Sequence, residues 1–259
     1  MSSPQVYFIG AGPGNPELLT IKAQRLIREA DLLLYAGSLV PSQILTWAKE
    51  EAEIQDSSGM TLEQTHTALV QAAGRGQMAV RVHTGDPSLY GAILEQMRLL
   101  QQEGIAFEVV PGITAAFAAA AKAAVSFTVP EQTQTLIFTR MSGRTPVPEQ
   151  ERLRDLAAHK CSLAIYLSAS LVRNMVLELQ AGGLPDSTPV CIASSIGWPG
   201  EDLIWTDLEH LESEVERTGL TRQAVFLVLP GQESKQAPQS RLYSPDFSHG
   251  FRPTTEDEK

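Results

Sequence analysis

Cysteine is scarce in this chain: only Cys161 and Cys191 occur, each beside an apolar run. That reads as two reduced, buried thiols and excludes a disulfide framework. No His/Cys/Asp spacing suits a metal site, so no metal is expected, and His66 and His83 read as ordinary, partly buried histidines. Long apolar runs are missing as well; none approaches the roughly 18 to 20 residues of a membrane span. Basic residues are the minority, with 20 Lys and Arg against 30 Asp and Glu and a net charge of −10. A general binder of nucleic-acid phosphates is thereby excluded. The start, MSSPQVYFIGAG, has no basic n-region and enters a strand almost at once, so no secretory leader is expected and the reading is cytoplasmic. The serine pairs at 57–58 and 194–195 lack a G-x-S-x-G elbow, and no nucleophile triad can be assembled.

What the chain does have is a sizeable apolar share, 43%, over 259 residues, enough for two lobes. QVYFIG (5–10), DLLLYAG (31–37), MAVRVH (78–83) and AFEVVPG (106–112) read as strands. Between them IKAQRLIREA, PSQILTWAKE, LEQTHTALVQAAGRG and GAILEQMRLLQQEG read as helices, with EIQDSSGM a polar link. Strands alternating with amphipathic helices predict an α/β fold with a parallel sheet covered on both faces. The same grammar resumes with different spacing in TQTLIFTRM, SLAIYLSA, TPVCIASSIG and QAVFLVLPG as strands, with PEQERLRDLAAH and SLVRNMVLELQAGG as helices. The expected division is 1–111 for a first α/β domain and 112–232 for a second, the change-over lying somewhere in 111–130. A polar tail follows over 233–259.

GAGPGNP (10–16) invites a dinucleotide-binding reading, but its glycines fall at the first, third and fifth positions, with Asn15 sixth. The second strand also ends without the acid that would bind ribose, so the nicotinamide reading is set aside. The glycines serve either a tight strand-to-helix turn or a backbone surface that a ligand approaches closely. In TGDPSLYG (84–91), Asp86 reads either as a helix N-cap or as an acid at the carboxyl end of a parallel strand, where α/β sheets place ligands. AAFAAAAKAA is a helix of small residues, suited to tight packing or to a flat ligand.

VYFIGAGPGNPELLTIKAQRLIREADLLLY, TGDPSLYG and VVPGITAAFAAAA, in that order, resemble the tetrapyrrole methylase family of S-adenosylmethionine-dependent methyltransferases. The resemblance runs from about Val6 to Gly231. YAGSLV (35–40), DSSGMTLEQ (56–64) and the tail SRLYSPDFSHGFR (240–252) look like the branch that methylates C11 of precorrin-4, or of its cobalt form, in corrin synthesis. The resemblance implies two α/β domains with the active site in the cleft between them, a homodimer, S-adenosylmethionine as methyl donor and a tetrapyrrole acceptor. Carried over position by position, it implies cofactor contacts at Pro13, Thr84, Gly85, Asp86, Leu89, Thr114, Ala115, Leu167, Ala193 and Ala224. Leu167 stands where many relatives carry methionine. On the acceptor side it implies Gly12, Gly14, Tyr35, Ser38 and Met60.

The chemistry agrees with the missing triad. A sulfonium methyl is already activated, so in-line displacement by an electron-rich ring carbon needs positioning and exclusion of water more than a nucleophilic side chain. No catalytic side chain is assigned. An acceptor bearing many carboxylates calls for a local basic rim on this acidic chain; Arg140 and Arg144 are the candidates, with Arg81 and Arg252 behind them. Two other readings stay open: methylation at another tetrapyrrole carbon, and a non-catalytic nucleotide-binding module.

Overall fold

A computed structural model describes residues 4–232, 240–244 and 247–248. In chain order its first part runs β1 (Val6–Gly10), α1 (Ile21–Glu29), β2 (Leu32–Tyr35), α2 (Ser42–Leu45), β3 (Glu53–Asp56) and α3 (Leu62–Gly74). It continues with β4 (Ala79–His83), α4 (Ile93–Gln102), β5 (Phe107–Val110) and α5 (Ala115–Ala123). The five strands form one parallel sheet in the order β3-β2-β4-β1-β5. Alternate residues of the inner strands β1, β2 and β4 enter opposite cores, which is why those strands are largely apolar. Ile9, Leu33, Val80 and Val82 pack with Leu26 and Ile27 of α1, whereas Val6, Phe8 and Leu34 pack with Leu69 of α3 and Leu100 of α4. Local signals set the helix starts. Thr20 accepts from Ala23 N at 3.2 Å, and Thr61 with Gln64 forms a reciprocal capping box.

Two local expectations change. The link EIQDSSGM begins with β3, an edge strand whose side chains are mostly exposed; its pairing with β2 makes it a strand, and its polarity hid it. PSQILTWAKE is helical only over Ser42–Leu45, after which Thr46, Trp47 and Ala48 close short i→i−3 bonds.

The second part contains β6 (Leu136–Arg140), α6 (Leu153–Ala157), β7 (Ser162–Tyr166), α7 (Val172–Ala181) and β8 (Pro189–Ser194). β9 (Asp202–Asp207), α8 (Leu211–Thr218) and β10 (Ala224–Val228) complete it. Its sheet has the order β6-β7-β10-β8-β9, and only β6 and β7 are parallel. The expected repetition of the first half's grammar therefore gives way to a mixed sheet. β8 and β9 are joined by residues 195–201, too short a connection for a parallel crossover. β9 and α8 had no counterpart in the sequence reading. One core holds this unit together, with Leu163, Ile165, Ile192 and Phe226 against Met175 and Leu179 of α7 and Leu211 of α8. Cys161 and Cys191 are free and buried, and burial pushes the Cys191 thiol up to about 11.

By contact the chain divides inside α5, into Met1–Ala118 with Ser195–Glu201 and Ala119–Ser194 with the remainder. Among the described residues, no helix is long and apolar enough to cross a membrane.

At the carboxyl ends of β4, β1 and β5 the backbones nearly touch. A Cβ on Gly112 would lie 2.1 Å from Gly85 O and 2.8 Å from Gly10 Cα. Gly112→Ala is expected to cost about 1–3 kcal/mol, because only backbone could give way. Gly74→Ala meets nothing within 4 Å and is expected to stabilise by up to about 1 kcal/mol. Urea titrations of both variants check the pair; equal midpoints would remove the close approach as a constraint.

Candidate functional site

The first sheet gathers its glycine turns at one edge. Ala11 N donates to His83 O at 2.7 Å, and Gly12 and Gly85 then exchange backbone bonds of 3.2 and 2.8 Å. Asp86 follows, and its carboxylate is committed to the chain. Oδ1 accepts from Ser88 N at 2.8 Å, and Oδ2 accepts from Gly112 N at 2.9 Å. Asp86 is not the cap of α4: the residue at that position is Ala92, at φ 49° and without a side-chain cap bond. The carboxylate is instead a clamp between the turn after β4 and the turn after β5. Around it stand buried Pro13, exposed Thr84, half-buried Leu89, buried Thr114 and Ala115, the first residue of α5. Gly12 and Gly14 are buried beside them. The geometry therefore brings Pro13, Thr84, Gly85, Asp86, Leu89, Thr114 and Ala115 to one edge, and much of the glycine content there serves backbone approach within the chain itself.

Tyr35 ends β2 in register with Val82 and Asp56. Its carbonyl accepts from both Ser57 N and Ser57 Oγ, at 2.9 and 2.8 Å. Ser38 lies in the one-turn helix Gly37–Leu39. Half-buried Met60 packs against the core under α3 and α4. Arg81 departs from the basic rim expected of it. Its guanidinium is buried inside the sheet layer and donates to Leu34 O at 3.2 Å and Ser57 Oγ at 2.7 Å. Burial brings its pKa down to about 10, opposed by the charge of Asp56. His83, two residues on along β4, is held neutral: burial, with the positive charge of Arg81, pulls it down to about 3. Arg252 lies outside the described residues.

The second sheet collects the remaining positions by register. Arg140 ends β6 opposite Tyr166 of β7, and Leu167 comes next. β10 runs antiparallel to β7 with Phe226 opposite Ile165, which sets Ala224 beside the end of β7. Ala224 pairs with Ser194, next to buried Ala193. Leu167 is 69% exposed at φ 54°, a left-handed backbone that costs energy for a leucine. Arg140 is stitched into its own loop, donating to the carbonyls of Met141, Thr145 and Pro146 at 3.3, 3.0 and 2.8 Å. It borders a cavity of about 510 Å³ whose other arginines are paired, Arg152 with Glu149 and Arg154 with Glu178. Among the described members of the named arginine set, Arg144 alone is exposed. Sequence reasoning missed Trp198, whose only local signal is the tight turn spelled IGWPG after β8.

Two outcomes follow from this geometry. Asp86→Asn keeps one carbonyl oxygen but turns an NH2 toward one of two N–H donors, so a loss of about 1–3 kcal/mol in urea titration is expected. An unchanged midpoint would show that the clamp carries nothing. The second outcome concerns acid. Because the folded state depresses the pKa of His83, the unfolded chain takes up its proton first, and stability falls as pH drops below about 6.5 toward 3. His83→Leu is expected to flatten that part of the stability profile, and a profile identical to the parent's would overturn the assignment.

Residues 5–212 match the family model described as Tetrapyrrole (Corrin/Porphyrin) Methylases. A cobalt-precorrin-4 C(11)-methyltransferase of Priestia megaterium is 44% identical over 251 residues, covering 96% of this chain and 97% of that one. A solved structure of a cobalt precorrin-4 methyltransferase, a cobalamin biosynthetic enzyme, superposes with a TM-score of 0.84 at 45% identity. That match covers 86% of this chain and 93% of the other. A uroporphyrin-III C-methyltransferase of Thermus thermophilus, solved in complex with S-adenosyl homocysteine, gives a TM-score of 0.71 at 26% identity, covering 86% and 96%. On a match that spans most of its length, the chain belongs to the tetrapyrrole methylase family.

Proposed function

We propose that this protein transfers the methyl group of S-adenosylmethionine to C11 of precorrin-4 or cobalt-precorrin-4, a step of corrin synthesis. The observation that carries the reading is the 44% identity, over nearly the full length of both chains, to a C11-methyltransferase. Among the solved structures, likeness to a methylase named for another acceptor, uroporphyrin-III, is weaker, with a TM-score of 0.71 at 26% identity against 0.84 at 45% for the cobalt precorrin-4 enzyme. That difference favours C11 of precorrin-4 over a uroporphyrin-III acceptor.

The edge of the first sheet suits the proposed methyl donor in its own chemistry. It offers the hydroxyl of exposed Thr84, the peptide groups of two glycine turns and the apolar surface of half-buried Leu89. Such groups match a ligand that combines ribose hydroxyls, an amino-acid end and an apolar base. When bound, the donor supplies an electrophilic methyl on a positively charged sulfur. The chain's part is to hold and orient. Thr84, Gly85, Leu89, Thr114 and Ala115 would line the donor, Pro13 is assigned to the acceptor side with its neighbouring glycines, and Asp86 acts on the donor through the clamp that sets the spacing of its edge. A preorganised edge lowers the barrier by fixing two reactants in line rather than by lending a nucleophile. Tyr35 and Met60, together with the turn at Gly12 and Gly14, are the proposed acceptor contacts. In the second unit, exposed Leu167 is proposed as an apolar ligand contact and Arg144 as a partner for acceptor carboxylates.

The purified protein is expected to bind S-adenosylhomocysteine with a Kd in the micromolar range, about −8 kcal/mol, by calorimetry. Incubated with S-adenosylmethionine and cobalt-precorrin-4, it is expected to give a product heavier by one CH2, with the new methyl on C11 by NMR. A methyl on a different carbon would replace the C11 reading, and binding of NAD without S-adenosylhomocysteine would overturn methyl transfer altogether. Arg144→Ala is expected to raise the acceptor KM a few-fold at low salt, since an exposed charge contributes about 1 kcal/mol or less, and added salt should erase the difference. Equal kinetics at low salt would leave Arg144 without a role.

A further inference from the structure

Ser195–Glu201, the connection from β8 to β9, belongs with the first unit and packs on the glycine turn that follows β1. Trp198 Nε1 donates to Pro13 O at 2.9 Å, although the two residues are 185 apart in sequence. A Cβ on Gly14 would fall 2.5 Å from Cδ1 and Nε1 of the same indole, and a Cβ on Gly197 would fall 2.7 Å from Asn15 N. The connection is braced to hold this pose. Trp198 N donates to Ser195 O at 2.9 Å and Glu201 N to Trp198 O at 3.0 Å. Gly197 N donates to Glu201 Oε2 at 3.0 Å. Ser195 takes φ 48°, a left-handed backbone that a serine adopts only where its surroundings compel it.

The glycine turn is therefore held by two different partners. Residues 10–12 are fixed by β1 and by the reciprocal bonds of Gly12 with Gly85. Pro13 and Gly14 lie beyond that bridge, and the indole holds them. The edge carrying Gly85, Gly112 and Thr114 is set by Asp86 and does not involve Trp198.

We propose that Trp198 is a positioning residue for the acceptor: it keeps Pro13 and Gly14 in the conformation that meets the tetrapyrrole, while leaving the donor's edge to Asp86. This rests on the methyl-transfer reading above. Trp198→Phe keeps a ring but loses the N–H donor, and Trp198→Ala loses both. The acceptor KM is expected to rise about fivefold in Trp198→Phe and further in Trp198→Ala, while the S-adenosylhomocysteine Kd stays within about twofold of the parent's. Amide hydrogen exchange at Gly14 and Asn15 is expected to quicken in both variants. Trp205→Phe, on the exposed face of β9, should match the parent throughout. An active parent whose acceptor KM is shared by both Trp198 variants overturns this proposal alone, as does an equal weakening of donor and acceptor. A parent that neither binds S-adenosylhomocysteine nor methylates the acceptor removes the methyl-transfer reading, and this proposal falls with it. Should Trp198→Ala fail to fold, Trp198→Phe and the exchange rates decide.

Discussion

The carboxylate of Asp86 ties the turn after β4 to the turn after β5, through Ser88 N and Gly112 N, at the place where three strand ends come into backbone contact. Both acceptor oxygens belong to one carboxylate, and a hydrogen bond to such a group is worth about 1.5–3 kcal/mol when partly shielded from water. Without the clamp, two N–H groups would lose their partner, and at Gly112 the neighbouring backbones leave no room for a replacement side chain. Thr84, Leu89 and Thr114 all sit within a few residues of one of its ends. Glycine at 10 and 112 follows from the same constraint, since any side chain would strike a neighbouring main chain. The backbone spacing of this edge is set by the chain's own bonds, and on the proposed function such spacing serves an in-line transfer between two bound reactants.

Charge sets a second constraint on the proposed function. A net charge of −10 opposes a polyanionic acceptor, and the arginines that might have relieved it are largely spoken for. Arg81 is spent inside the sheet layer on Leu34 O and Ser57 Oγ, where it fixes the turn after β3 against the end of β2. Its charge is one reason why His83 stays neutral, the larger being the burial of His83 itself. Arg140 braces its own loop through three carbonyls. On the proposed function, the acceptor's carboxylates are left to Arg144 and to neutral hydrogen-bonding groups along the edge. Neutral donors have an advantage here, because they need no counter-charge of their own when water is excluded.

Much of this protein was legible in the residues. Apolar runs broken by amphipathic stretches identified four of the five parallel-sheet strands: β1, β2 and β4 lie inside the sheet, buried on both faces, and the edge strand β5 still sets Phe107, Val109 and Val110 against the cores. Glycine and proline marked the ends of β1, β4 and β5, and the order of those turns pointed to the family that the full-length comparison shows. Edge strands β3 and β9 escaped notice because a strand with one free side can carry Glu, Asp and Gln; only the neighbour that pairs with it makes it a strand. The direction of the second sheet also escaped, since parallel and antiparallel strands share one alternation and differ only in the length and path of the connections.

The sequence alone therefore determined which segments are strands and helices in the covered parts of the fold, and which turns carry glycine, because periodicity and backbone sterics act over a few residues. Tertiary structure decided what each polar group does. Asp86 could be a cap or a clamp until Gly112 N came within 2.9 Å of it. Arg81 could be surface or interior until α3 and α4 closed over its face of the sheet. Trp198 became a partner of Pro13 only when a connection from far along the chain returned to the first sheet, a contact set by packing and invisible to any local pattern.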